Sequence, residues 1–146
     1  MKVSDLLSPA DVMIDVRASQ KKALLQELAA RAATNLGLLP DQVTSHLLKR
    51  EELGSTGTGN GIAIPHARLP GLKRPYGLLV RLNQAIEFDA IDGRAVDLVF
   101  VLLLPAAVES DALASLALVA RTLRSPDTLA RMRAAKNPAE LHAVLV

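Results

Sequence analysis

The chain has 146 residues, half of them apolar, with a formal net charge of +2 and no cysteine. That much apolar side chain can build the core of a single domain, 1–146, and the lack of cysteine rules out disulfides, zinc–thiolate sites and thiol nucleophiles. The near balance of charge and the sparse aromatics, Tyr76, Phe88 and Phe100, give nucleic acid neither a basic patch nor a stacking platform.

The opening stretch MKVSDLLSPADVMIDV carries acids and a proline where a signal peptide needs an unbroken apolar run, so a cytoplasmic protein is expected. Val12, Ile14 and Val16 alternate with Asp11, Met13 and Asp15, which predicts a short strand. A helix is expected next, capped by Ser19, with Leu24, Leu28, Ala32 and Leu36 forming one buried stripe and Gly37 ending it. A second helix is predicted from Pro40 and Asp41, burying Val43 and Leu47 and stopping at Gly54, with Arg50 in its last turns.

Gly61 to Pro65 and Gly77 to Leu82 read as strands. Asp92-Gly93 reads as a tight hairpin turn leading into Val96 to Leu104, nearly continuous in apolar residues as a strand covered on both faces would be. The longest apolar run, Val99 to Val108, is broken by Pro105 and is about half the length that spans a bilayer, so no membrane insertion is expected. Three helices should follow: Glu109 to Leu123, one opened by Ser125-Pro126, and one opened by Asn137-Pro138 with Glu140 as a capping-box acid. Strands in the middle and helices at both ends predict an α/β fold, a three-layer sandwich with a mixed β-sheet between helical layers.

Half of the eight glycines fall in the run GSTGTGNG, from Gly54 to Gly61, just before Pro65 and His66. Glycine lets successive backbone N–H groups turn into one concavity, so Gly57 and Gly59, with the hydroxyls of Ser55 and Thr56, are candidates to bind phosphate; Ser55 and Thr56 could equally cap turns. A nucleotide P-loop is excluded, because its lysine position holds Asn60 and its Ser/Thr position holds Gly61. A dinucleotide fingerprint fails too, since these glycines follow a helix and open an extended segment. His46, His66 and His142 are far apart in sequence, so no metal site is expected. His66 remains. Pro65 holds it beside the loop, and its imidazole could be phosphorylated directly or simply pack at a turn. His46 and His142 lie in predicted helices and read as surface or packing residues, and Arg68, Lys73 and Arg74, which could attract an acidic partner, read rather as an exposed solvated loop.

The segment LKREELGSTGTGNGIAIPH, from Leu48 to His66, resembles the signature of the enzyme IIA domains of the bacterial phosphotransferase system, of the fructose, mannitol and nitrogen-regulatory type. Weaker similarity runs through Ile86 to Gly93, Val96 to Phe100 and Leu116 to Ala120. The resemblance implies that His66 accepts a phosphoryl group on its distal ring nitrogen from a small histidine phosphocarrier protein, with no cofactor. It implies that Arg50 assists, although an arginine at a helix end can also serve the helix dipole. Gly59-Asn60-Gly61 and Phe88-Asp89-Ala90-Ile91-Asp92 look most like the nitrogen-regulatory members, which control other proteins, including potassium transport systems. Donation of phosphate to a IIB partner, and a binding module that is never phosphorylated, are the alternatives.

One departure stands out. Many members carry a second histidine near the start of the helix expected at Glu109, and here that region reads Asp111-Ala112-Leu113-Ala114. The usual place of that imidazole falls at Ala112 or Ala114.

Overall fold

The computed structural model describes residues 1–107 and 109–146, and outside 109–111 their side chains as well. Val108, the last residue of the long apolar run, therefore lies outside the described residues. Two single 3₁₀ turns, Val3–Asp5 and Pro9–Asp11, lead into β1 (Val12–Val16), α1 (Lys21–Leu36) and α2 (Pro40–Glu52). The middle of the chain forms β2 (Gly57–Gly59), β3 (Ile62–Ala63), β4 (His66–Leu69), β5 (Tyr76–Ile86) and β6 (Val96–Pro105). Helices α3 (Glu109–Thr122), α4 (Pro126–Ala134) and α5 (Pro138–Leu145) close it.

β6 is the central strand. It pairs antiparallel with β5 on one edge and parallel with β3 and then β4 on the other, while β1 runs parallel to β5 and β2 antiparallel to β3. Its side chains divide by period two: Val99, Val101 and Leu103 join the core under α1 and α2, and Leu98, Phe100, Leu102 and Leu104 join the core under α3, α4 and α5. A strand buried on both faces needs an unbroken apolar run, as this one has. The mixed sheet between helical layers is the expected fold.

The predicted helix signals act locally in most places. Gly37 takes φ +69° and ends α1, Ser125 Oγ accepts from the Thr128 N–H at 3.3 Å, and Asn137 Oδ1 accepts from the Glu140 N–H at 2.8 Å. The Glu140 carboxylate reaches back to the Lys136 N–H at 2.8 Å, one residue beyond the helix cap.

Two expectations are corrected. Ser19 does not cap α1; Gln20 is the N-cap, with no side-chain bond, and the first turn is held instead by Lys21, whose ammonium lies 3.2 Å from Glu51 and 3.4 Å from Asp89. Asp92-Gly93 is a turn, with the Gly93 N–H donating to the Ala90 carbonyl at 2.9 Å, but it is not a tight hairpin. Residues 87–95 form a broad loop instead. Phe88 and Ala90 are buried in the core, and the Ile91 N–H donates to the Gly57 carbonyl at 3.2 Å, so the loop is drawn out to cover the glycine segment.

Candidate functional site

The glycine segment folds as a small hairpin, β2 and β3, with Gly57 opposite Ala63 and Gly59 opposite Ile62. Asn60 and Gly61 make its tip with φ of +58° and +79°. Gly61 also lacks room for a side chain, since a Cβ there would stand 2.5 Å from the Arg133 guanidinium. That guanidinium donates to the Asn60 carbonyl at 2.6 Å and to both oxygens of Asp97 at 2.9 and 3.0 Å, tying the hairpin tip to α4 and β6. Asp92 binds the tip from the other side, accepting from the Asn60 N–H at 2.9 Å; this bond and one from Arg94 hold its carboxyl below the usual value.

The residues expected to cradle phosphate spend their polar groups inside the protein. Thr56 gives both its N–H and its hydroxyl to the buried Glu51 carboxylate. Ser55 Oγ donates to the Phe88 carbonyl at 2.6 Å and accepts from the Gly57 N–H at 3.0 Å. Gly57 is glycine because a Cβ would lie 2.8 Å from that of Ala90, and a Cβ at Gly59 would meet the Asp92 carboxylate at 3.2 Å.

These bonds fix where β3 ends and β4 begins. The Ile64 N–H donates to the Thr56 carbonyl at 3.0 Å, and the Leu102 N–H donates to the Pro65 carbonyl at 2.8 Å. Proline has no N–H to leave unpaired at this break. His66 then opens β4, half-buried, opposite Leu102 of β6.

The two ring nitrogens of His66 are distinct. Nδ1 lies 2.9 Å from the Ile64 carbonyl, which can only accept, so Nδ1 carries the hydrogen. Nε2 is left with its lone pair, and Arg50 Nε donates to it at 3.3 Å. Arg50 reaches this position from the last turn of α2, where its Nη1 also donates to the Gly54 carbonyl at 2.9 Å. The His66 pKa is lowered from 6.5: burial is the main cause, opposed by the bond to Ile64, with the Arg50 charge lowering it further and Glu51 raising it. The ring is thus neutral at neutral pH with its nucleophilic nitrogen turned outward.

A groove of about 360 Å³ opens at His66, lined by Arg50 and His46 of α2, Arg68 of β4, Leu104 of β6 and Ala112, Leu113 and Leu116 of α3. The structure therefore brings Arg50 to His66, but Ser55, Thr56, Gly57 and Gly59 do not line this groove. Two lining residues were missed in the sequence. His46 precedes Arg50 by four residues, so helical spacing puts both on one face, and Arg68 shares a strand face with His66 two residues before it. Arg68 accordingly belongs to a strand and not to an exposed loop. Ala112 is buried in the groove wall while Ala114 is exposed and does not line it. His142 serves elsewhere, with its Nε2 3.0 Å from the Leu7 carbonyl.

Among the described residues there is no group of three or more His, Asp or Glu able to hold a metal, and no helix long and apolar enough to cross a membrane.

Residues 5–146 match the family model described as "Phosphoenolpyruvate-dependent sugar phosphotransferase system, EIIA 2". The chain is 42% identical to a nitrogen regulatory protein of Bradyrhizobium diazoefficiens over 145 residues, covering 99% of this chain and 95% of that one. Its fold is similar to the crystal structure of nitrogen regulatory protein IIA-Ntr from Neisseria meningitidis, with TM-score 0.93, 30% identity and 99% of each chain covered. It also has the fold of enzyme IIAMTL in its complex with phosphorylated enzyme IIBMTL from Escherichia coli, with TM-score 0.76, 16% identity, and 95% and 96% of the two chains covered.

Proposed function

The chain belongs to the phosphoenolpyruvate-dependent sugar phosphotransferase system EIIA 2 family, and we propose that within it the chain is a regulatory phosphocarrier that takes a phosphoryl group onto His66 Nε2. The observation that carries this reading is the ring geometry: Nδ1 is committed to the Ile64 carbonyl and Nε2 faces Arg50 at the mouth of the groove. The donor is a small histidine phosphocarrier protein. As the Nε2–P bond forms, the bond from phosphorus to the donor nitrogen breaks and its electron pair returns to the donor ring. Positive charge that develops on the His66 ring is stabilised through Nδ1–H by the Ile64 carbonyl, and Arg50 opposes the charge on the transferring oxygens.

In this reading the whole chain acts as one domain, working in the cytoplasm. Ser55, Thr56, Gly57 and Gly59 serve the phosphoryl group indirectly, by fixing the hairpin from which Ile64 and His66 emerge. The likeness to nitrogen regulatory proteins over nearly the full length favours a signalling role, directed at targets such as potassium transport systems. A second reading, donation to a IIB partner, draws on the IIAMTL–IIBMTL complex of the same fold. Incubation with phosphoenolpyruvate, the first enzyme of the system and the small carrier, followed by intact mass measurement, tests the common step. Gain of one acid-labile phosphoryl group is expected; an unchanged mass would instead identify a binding module that only keeps the fold.

A further inference from the structure

His46 has no part in the transfer as described so far, yet it shares the acceptor groove. It stands one helical turn before Arg50 on α2, is half-buried, and lines the same cavity as His66. Its Nδ1 lies 2.8 Å from the Gln42 carbonyl, so the ring hydrogen of the neutral form sits there and Nε2 is the atom free to act in the groove. The other charged or titratable groups lining this cavity are Arg50 from the same helix and His66 and Arg68 from β4; β6 and α3 contribute Leu104, Ala112, Leu113 and Leu116. No carboxylate is among these described lining residues. A phosphoryl dianion on His66 would stand beside the Arg50 guanidinium and share the groove with the His46 ring.

We propose that His46 is the second imidazole of the phosphoryl site: its Nε2 takes a proton from solvent when His66 is phosphorylated and donates a hydrogen bond to a phosphoryl oxygen. Phosphorylation of this chain is then accompanied by proton uptake, with no change in the bonds made and broken at phosphorus. The physical cause is the dianion, which favours the charged ring beside it, and the reward is a charge-assisted bond in place of a neutral one. The arrangement supplies from α2 the imidazole that α3 lacks at Ala112, from the opposite wall of the groove.

This inference rests on His66 being the acceptor, and two measurements separate its failure from failure of that reading. The first is the exchange equilibrium of phosphoryl groups between the small carrier and this chain, followed across neutral pH for the parent and for His46→Gln, which cannot take up the proton. The variant should favour the carrier by roughly tenfold on the acidic side, as expected for loss of one charge-assisted hydrogen bond, and its pH slope should differ from the parent's by the proton that His46 takes up, the remaining slope belonging to the free imidazoles of His66 and the carrier. The second needs no variant: ¹⁵N spectra of the parent at fixed pH should show the His46 ring change from the neutral to the imidazolium pattern on phosphorylation. If His66 is labelled, the equilibrium and its pH slope are unchanged in His46→Gln, and the His46 ring stays neutral, the proposal is overturned and the acceptor assignment stands. If the parent takes no phosphate, both fall.

Discussion

The Glu51 carboxylate holds both the backbone N–H and the hydroxyl of Thr56, five residues further along the chain, and does so while 7% exposed. Lys21 of α1 completes the set at 3.2 Å. One buried acid thereby joins two helices to the segment that leads to the acceptor. Glu51→Gln keeps the shape but loses the charge, leaving Lys21 poorly paired and one donor of Thr56 facing an amide that cannot match both. A loss of about 2 kcal/mol of stability is expected, the scale of hydrogen bonds to a charged group, and urea unfolding of parent and variant measures it. A variant as stable as the parent would show that this cluster does not set the position of the hairpin.

Phosphate incorporation should be confined to His66. His66→Ala is expected to abolish it, whereas His142→Ala should keep it and lose about 1 kcal/mol of stability through the lost bond to the Leu7 carbonyl. Peptide mapping under basic conditions, which preserve a phosphoramidate, locates the label. Label on a hydroxyl of Ser55 or Thr56 would overturn the assignment.

Arg50→Ala should slow phosphorylation much more than it destabilises the fold. Loss of a positioned donor to the transferring group costs about 2–4 kcal/mol of barrier, whereas a charge at a helix end contributes about 0.3–1 kcal/mol of stability. Single-turnover transfer from the phosphorylated carrier and the melting temperature give the two numbers. An unchanged rate with a lowered melting temperature would mean that Arg50 acts only through its bond to Gly54.

The lowered pKa of His66 fixes two pH dependences. The nucleophilic neutral ring persists below 6.5, so the rate of phosphorylation should be level through neutrality and fall only under that value. Stability follows from the same difference. Well above 6.5 neither the folded nor the unfolded chain is protonated at this residue; as pH falls through 6.5 the unfolded chain takes up the proton first, and stability drops until the folded pKa is passed. Urea unfolding of the parent and of His66→Gln should therefore diverge below 6.5 and run parallel above it. Divergence on the alkaline side would contradict the burial of the ring.

A histidine restored to α3 should act from one position only. Ala112 faces the groove and Ala114 does not, so Ala114→His should leave transfer unchanged. Ala112→His should speed transfer several-fold, at a cost of about 1–3 kcal/mol for forcing a larger side chain into a packed site. The same single-turnover assay decides, with thermal unfolding as the companion measurement.

Much of the fold was legible because its signals are local. The alternation of β1, the glycine that stops α1, the proline that starts α2 and the unbroken apolar run of β6 each act within a few residues. What escaped the sequence depends on partners far along the chain. β4 exists because β6 has a free edge beyond β3, and nothing in His66 to Leu69 announces that edge. Ser19 does not cap α1, whose first turn is tied instead through Lys21 to acids in α2 and the 87–95 loop. At the site, His66 and Arg50 were visible through the motif, but the glycines suggested a phosphate cradle, whereas their donors and spaces are filled by Glu51, Phe88, Ala90 and Asp92. His46 was within reach, since its spacing from Arg50 is that of one helix face.

The meeting of Gly57 with Ala90 has a consequence for how this sequence can drift. A Cβ on residue 57 would come within 2.9 Å of the Ala90 Cα as well as 2.8 Å of its methyl, so the hairpin and the 87–95 loop touch with space for one methyl between them. Residue 57 is thus barred from carrying a side chain by the backbone of residue 90 and not only by its methyl. Enlarging residue 57 is a dead end while the loop stays docked, and shrinking residue 90 to glycine does not open a way round it, because the new methyl would still stand 2.9 Å from the residue-90 Cα.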